Sequence, residues 1–190
     1  MMNLQDIRSA LQSADEEVRR SALYSLREIP CPEAQAIVFT AMGDESWRVR
    51  KEAVECYVCL KPDLNHVEDL LNLLRNEDNA GLRNSAAEAV IRLGSASATP
   101  LLKMVKDQDA DVRKFVIDVM GAIGDPIFVP ALLHALNDTE VNVASAAAEQ
   151  LGALGDTSVA EQLILSILAR DEVLFRFSAL RALSVLAQPV

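Results

Sequence analysis

The sequence predicts an all-α chain, a right-handed α-solenoid (superhelix) of about six helix pairs stacked along residues 1–190 as a single repeat domain. Three observations predict it. An apolar anchor recurs at Val18, Val49, Leu82, Val112, Val143 and Phe175, with Arg next to it in every case but the fifth, where Ala144 stands. Each anchor opens the same columns. Four residues on come Ala22, Ala53, Ala86, Val116, Ala147 and Ala179, and eight on come Leu26, Tyr57, Val90, Met120, Leu151 and Leu183. Eleven on come Ile29, Leu60, Leu93, Ile123, Leu154 and Leu186. Such offsets fall on one face of an α-helix, and their return at a fixed period marks a repeat architecture.

The elements follow in order. "NLQDIRSALQSA" opens the chain and matches the second helix of a pair. A first helix then runs through each anchor, preceded at three residues' distance by Asp15, Ser46, Asn79, Asp109, Glu140 or Glu172. The first four of these are good N-caps, able to accept from helix N–H groups that lack an intrahelical partner. The Ala column needs small side chains, because a larger residue would overpack a close helix contact. Gly94, Gly124 and Gly155 suit the left-handed residue after a helix. Pro32, Pro62 and Pro126 suit the start of the next segment. Second helices follow as "EAQAIVFTAM", "LNHVEDLLNLL", "TPLLKMVK", "VPALLHALN" and "AEQLILSILA". The chain finishes after a first helix, so an apolar face at Leu186 to Val190 has no following second helix.

Bulk properties narrow the function. The chain is 51% hydrophobic and only 4% aromatic, so aliphatic residues build the core. A net charge of −10 opposes non-specific nucleic-acid binding, which needs a dense cationic surface. No signal peptide or apolar run of membrane-spanning length is present. An odd count of three cysteines argues against a disulfide framework, and the expected localisation is cytoplasmic.

The repeating unit, written most clearly in "DADVRKFVIDVMGAIGDPIFVPALLHALND", resembles the HEAT-repeat family, specifically the short HEAT-like repeats of phycobilisome lyases. The resemblance covers essentially the whole chain. It implies a structural ladder between adjacent repeats, to which Asp15, Arg19, Arg50, Arg83, Asp109, Arg113 and Arg176 are assigned. It also implies that second helices line a concave face. Their aligned polar columns read Ser9, Thr40, Asn72, Lys103, His134, Ser166 and Gln12, Gly43, Arg75, Lys106, Asn137, Ala169. From these, Asn72, Arg75, Lys103, Lys106, His134 and Asn137 are expected to bind a partner.

Other chemistry is thinly represented. Cys56 and Cys59 form a CxxC without a second pair, and small-residue packing is favoured over zinc or redox work. HEAT-repeat di-iron hydroxylases would need repeated His-Glu pairs, but Val67 follows His66 and Ala135 follows His134. Both histidines are expected on solvated faces, and Trp47 is expected to pack between repeats. An acidic span from Asp118 to Glu161 contains no Lys or Arg and could attract a basic segment. The sequence therefore suggests a non-enzymatic protein–protein interaction scaffold or adaptor, without cofactor or metal, bound to a protein or peptide segment and to neither nucleic acid nor membrane. It suggests also a fragment of a longer array or self-association through the C-terminal end. The rival reading is a subunit of a phycobilin lyase or another tetrapyrrole-handling enzyme.

Overall fold

The computed structural model describes residues 2–29, 31–76 and 78–188. Of the apolar end expected at Leu186 to Val190, Pro189 and Val190 lie outside the described residues. Among the described residues there are twelve α-helices and no strand.

The chain divides into two compact units, Met1–Leu93 and Gly94–Val190. The first holds α1 (Leu4–Ala10), α2 (Glu16–Leu26), α3 (Pro32–Ala41), α4 (Trp47–Cys59), α5 (Leu64–Asn72) and α6 (Ala80–Leu93). The second holds α7 (Ala98–Met104), α8 (Ala110–Ile123), α9 (Val129–Ala135), α10 (Val141–Leu154), α11 (Ala160–Ala169) and α12 (Val173–Leu186). Even-numbered helices are the first helices of the sequence pattern and odd-numbered ones the second helices. Within the first unit α2 packs on α4 and α4 on α6, while within the second α8 packs on α10 and α10 on α12. Short 3-10 turns at Pro126–Phe128 and Thr157–Val159 lead into α9 and α11.

The predicted columns form the core. Ala22, Ala53, Ala86, Val116, Ala147 and Ala179 are all buried, as are Leu26, Tyr57, Val90, Met120 and Leu151. Tyr57 fixes α4 to α5 through its hydroxyl, which donates to the His66 carbonyl at 2.8 Å. Asp15, Ser46, Asn79 and Asp109 accept from the first-turn amides of α2, α4, α6 and α8, as the pattern predicts. Gly124 and Gly155 adopt φ of 72° and 73° after α8 and α10, the backbone shape that favours glycine there.

Helices α10 and α12 approach closely backbone to backbone. A Cβ placed on Gly152 would lie 2.7 Å from both Cα and Cβ of Ala182. Two helix surfaces therefore meet at a distance that only hydrogen permits.

The ladder exists, with partners other than those expected. Arg19 makes a two-pronged pair with Asp44, each bond 2.9 Å, and Arg113 does the same with Asp138 at 2.7 and 2.8 Å. The acceptor stands five residues before the next anchor. Asp15 and Asp109 instead spend their carboxylates on their own helix N-termini. Three of these arginines also donate to carbonyls of the loop before their own helices. Arg19 reaches Ser13 and Ala14, Arg50 reaches Asp44 and Glu45, and Arg113 reaches Asp107 and Gln108.

The fifth repeat solves its missing arginine by exchange. Ala144 occupies the arginine position, and the acceptor position five residues before Phe175 is occupied by Arg170. The Arg170 guanidinium reaches back and donates to the carbonyls of Leu136 at 3.0 Å and Asp138 at 2.8 Å. It also pairs with Glu172 at 2.8 Å and lies 4.8 Å over the Phe175 ring. The loop that an arginine at 144 would hold from within its own repeat is thus held from the following one. Arg176 completes the set by donating to the Arg170 carbonyl and to Asp171.

Candidate functional site: the second-helix face

A second helix buries one stripe against the first helices and leaves the rest to solvent. Ile7, Val38, Leu70, Leu101, Leu132 and Leu163 are buried on α1, α3, α5, α7, α9 and α11. The polar residues beside them point outward. Ser9, Thr40, Asn72, Lys103 and His134 are exposed, and so are Gln12, Arg75, Lys106 and Asn137. All six residues expected to contact a partner are therefore solvent-facing. They belong to two units: Asn72 and Arg75 to the first, Lys103, Lys106, His134 and Asn137 to the second.

The stripe changes character on α11. This helix starts 31 residues after α9 (160 − 129), so Leu165 and Leu168 align with His134 and Asn137. The extra residue of the last repeat falls after α11, which moves Ser166 and Ala169 off the stripe. Leu165 and Leu168 are both exposed.

The first unit forms a cleft on this face. Arg8, Leu11 and Gln12 make one wall, and Ala36, Ile37, Thr40 and Ala41 of α3 make the other, with Asp44 at one end. Its volume is about 460 Å³. The floor is apolar, since Ile37 and Ala41 are buried. The Thr40 hydroxyl donates to the Ala36 carbonyl at 3.1 Å, and Asp44 is held by Arg19. Arg8 is exposed and makes no ion pair among the described residues. An apolar floor with a few polar groups on the rim is the general composition of a ligand cleft. The cleft has no sequence signature, because α1 and α3 are brought together by packing alone.

Other candidates take structural roles. Cys56 is buried, and burial pushes its thiol up to about 12, while Cys59 is exposed. A buried, protonated thiol packs as a small apolar group. His66 is half-buried rather than simply solvated, with Nδ1 at 2.6 Å from the Asp63 carboxylate that caps α5. Trp47 is 64% exposed and does not pack between repeats. Standing two residues before Val49, it points away from the buried face.

The acidic span is largely consumed by the fold. Asp118 pairs with Lys114 at 2.7 Å, and Asp125 accepts from Ser95 and the Ile127 amide. Glu149 accepts from Ser178 at 2.8 Å, and Asp156 caps the turn before α11. Burial pushes the Asp138 carboxyl up, but hydrogen bonds from Arg113 and the Glu140 amide outweigh it and leave the group below its ordinary range. Among the described residues, no three His, Cys, Asp or Glu side chains form a group that could hold a metal ion. The residues present do not fit a centre built from repeated His-Glu pairs. No described helix is long and apolar enough to cross a membrane.

Comparison with known proteins places the repeats. The sequence pattern described as HEAT repeats matches residues 4–91 and 98–184. A deoxyhypusine hydroxylase of Neurospora crassa is 34% identical over 106 residues, which are 55% of this chain and 33% of that protein. The chain thus spans about a third of the length of this relative. Human deoxyhypusine hydroxylase in complex with glycerol aligns over 97% of this chain and 74% of its own, at 21% identity and TM-score 0.53. Importin beta aligns over 97% of this chain and 31% of its own, at 18% identity and TM-score 0.59. The structural likenesses concern the fold alone. The sequence relative corrects one expectation: the reading of the chain as non-enzymatic does not stand, because that relative is an enzyme.

Proposed function

Since the chain belongs to the HEAT-repeat family, we propose that it is a partner-binding module whose second-helix face receives a protein or peptide segment. The observation that carries this reading is the cleft between α1 and α3, because stripe residues Gln12 and Thr40 line it over an apolar floor. The width between two helices suits an extended segment with an apolar side chain on the floor. The rim offers Arg8 to a carboxylate of such a segment, while the Asp44 carboxylate is already taken by Arg19. In the second unit, exposed Lys103 and Lys106 offer positive charge to an acidic stretch. Each such contact is worth under about 1 kcal/mol alone, so the apolar floor supplies most of the affinity.

Photo-crosslinking tests this reading. A photoreactive residue replaces Thr40 in the cleft, or Lys51 on the exposed side of α4. In native lysate the Thr40 position should capture a defined protein that the Lys51 position does not. Equal capture at both positions, or none at Thr40, refutes the assignment.

A second reading rests on the 34% identity with deoxyhypusine hydroxylase. It assigns the chain a part in an enzyme that hydroxylates deoxyhypusine. Incubation of the chain and its captured partner with a deoxyhypusine-bearing protein, dioxygen and a two-electron reductant should then reveal one added oxygen by mass spectrometry, the second oxygen atom leaving as water. No mass change with the chain and its captured partner together would dismiss this reading and leave the first intact.

A further inference from the structure

We infer that the outer face of α12 docks on the outer face of α2 in a second copy of this chain, forming a head-to-tail junction built like the junctions between repeats. The inference is independent of the second-helix face. It starts from a register comparison. The residue five positions after the anchor is Leu23, Val54, Ala87, Ile117 or Ala148 in the first five repeats, and all are buried. In the sixth it is Leu180, which is 57% exposed, and its neighbour Phe177 is 62% exposed. Within the second unit the same positions of α10, Ser145 and Ala148, are covered. So α12 presents two large apolar side chains where the repeat pattern calls for a following first helix.

The opposite deficit occurs on α2. Anchors Val49, Val112, Val143 and Phe175 are buried, whereas Val18 is 42% exposed. The positions three and seven residues on are Ser21 and Ser25, so the surface around Val18 is low in relief. On α12 the equivalent positions are Ser178 and Ala182, and these small residues lie buried against α10. Knobs on α12 therefore meet a face of the kind that first helices offer one another inside the fold.

Charge fixes the direction and register. Inside the first unit, Glu55, six residues after its anchor, pairs with Arg92, ten residues after the next anchor, at 2.5 Å. At the proposed junction the same two positions are Arg181 and Glu28. The signs are exchanged and remain opposite. Both side chains are exposed, and neither makes an ion pair among the described residues. From Val173 to Gln188 the chain carries Arg176 and Arg181 and no acid, so nothing on α12 competes for Arg181. A contact between different faces repeats without closing unless its rotation returns to the start.

Sedimentation velocity with blocked ends tests the junction. The wild-type chain should grow from its 20.7 kDa monomer into a concentration-dependent series. Val18→Asp blocks the head and Leu180→Asp blocks the tail, and each substitution sits at a solvent-exposed position. Each variant should remain a monomer, and an equimolar mixture should give a dimer and nothing larger. Arg181→Glu should weaken assembly, and combination with Glu28→Arg should restore it. A wild-type chain that stays monomeric throughout overturns the inference. So does assembly that survives in either blocked variant, or a mixture that fails to form the dimer.

Discussion

Exchanging Ala144 and Arg170 for the arginine and aspartate of the regular pattern separates compensation from coincidence. Arg170→Asp alone removes two charge-assisted bonds to backbone carbonyls at 2.8 and 3.0 Å, a contact type worth about 1.5–3 kcal/mol each. It also removes a cation over the Phe175 ring, worth about 0.5–2 kcal/mol. The Glu172 pair adds less than about 1 kcal/mol, because Glu172 is half exposed. Partial solvent access and non-additivity bring the expected loss to about 3–5 kcal/mol. Ala144→Arg alone forces a long side chain into a fully buried position, and overpacking costs about 1–3 kcal/mol. In the double variant, Arg at 144 gains the loop carbonyls that Arg113 uses in its own repeat, with Asp at 170 as its two-pronged acceptor. The pair should therefore recover most of the loss, with a favourable coupling of at least about 3 kcal/mol. Urea unfolding followed by circular dichroism, on the wild type and all three variants, measures it. Additive effects, with coupling below about 0.5 kcal/mol, would refute the claim that Arg170 replaces the missing arginine.

Three further outcomes follow from the same geometry. Gly152→Ala should lower stability by about 1–3 kcal/mol, since its Cβ would meet the Ala182 backbone; an unchanged urea midpoint would mean that α10 and α12 separate easily. In the native protein a thiol reagent should modify Cys59 and spare Cys56, and mass spectrometry of digested peptides would expose the contrary. Hydrogen bonding to Arg92 holds Glu55 below its ordinary 4.5, and Arg113 outweighs burial to hold Asp138 below its ordinary 3.8. Both carboxyls bind protons more readily unfolded than folded, so their stabilisation is complete above those ordinary values and is lost as pH falls through the lower folded ones. Arg113→Met should flatten the Asp138 part of that acid limb, and an unaltered pH profile would count against the pair.

The helix faces and caps were legible because they depend on local periods. Offsets of four and eight residues name a buried face without reference to any other helix, and Asp109 caps the turn that follows it. Trp47 was misread: it was expected to pack between repeats, yet two residues before an anchor is close to the opposite side of the helix, and it is exposed. What a single helix cannot reveal is its alignment with the next. Arg113 meets Asp138, 25 residues on, rather than the nearer Asp109, and that choice is made by how α8 and α10 pack. The cleft was hidden for the same reason, because Arg8 and Thr40 become neighbours only through packing. On α11 the placement of one extra residue decides whether Leu165 or Ser166 joins the stripe, and the anchors do not reveal on which side of the helix it falls.

Titration calorimetry with the protein captured through Thr40 tests the binding face most directly. Thr40→Trp fills the cleft from an exposed position, so the fold should be preserved while binding is lost. Arg8→Ala, on the rim of the same cleft, should weaken the same binding less, because an exposed charge contributes little singly. Wild-type affinity in Thr40→Trp, with an unchanged circular dichroism spectrum, would contradict the assignment of the second-helix face as the binding surface.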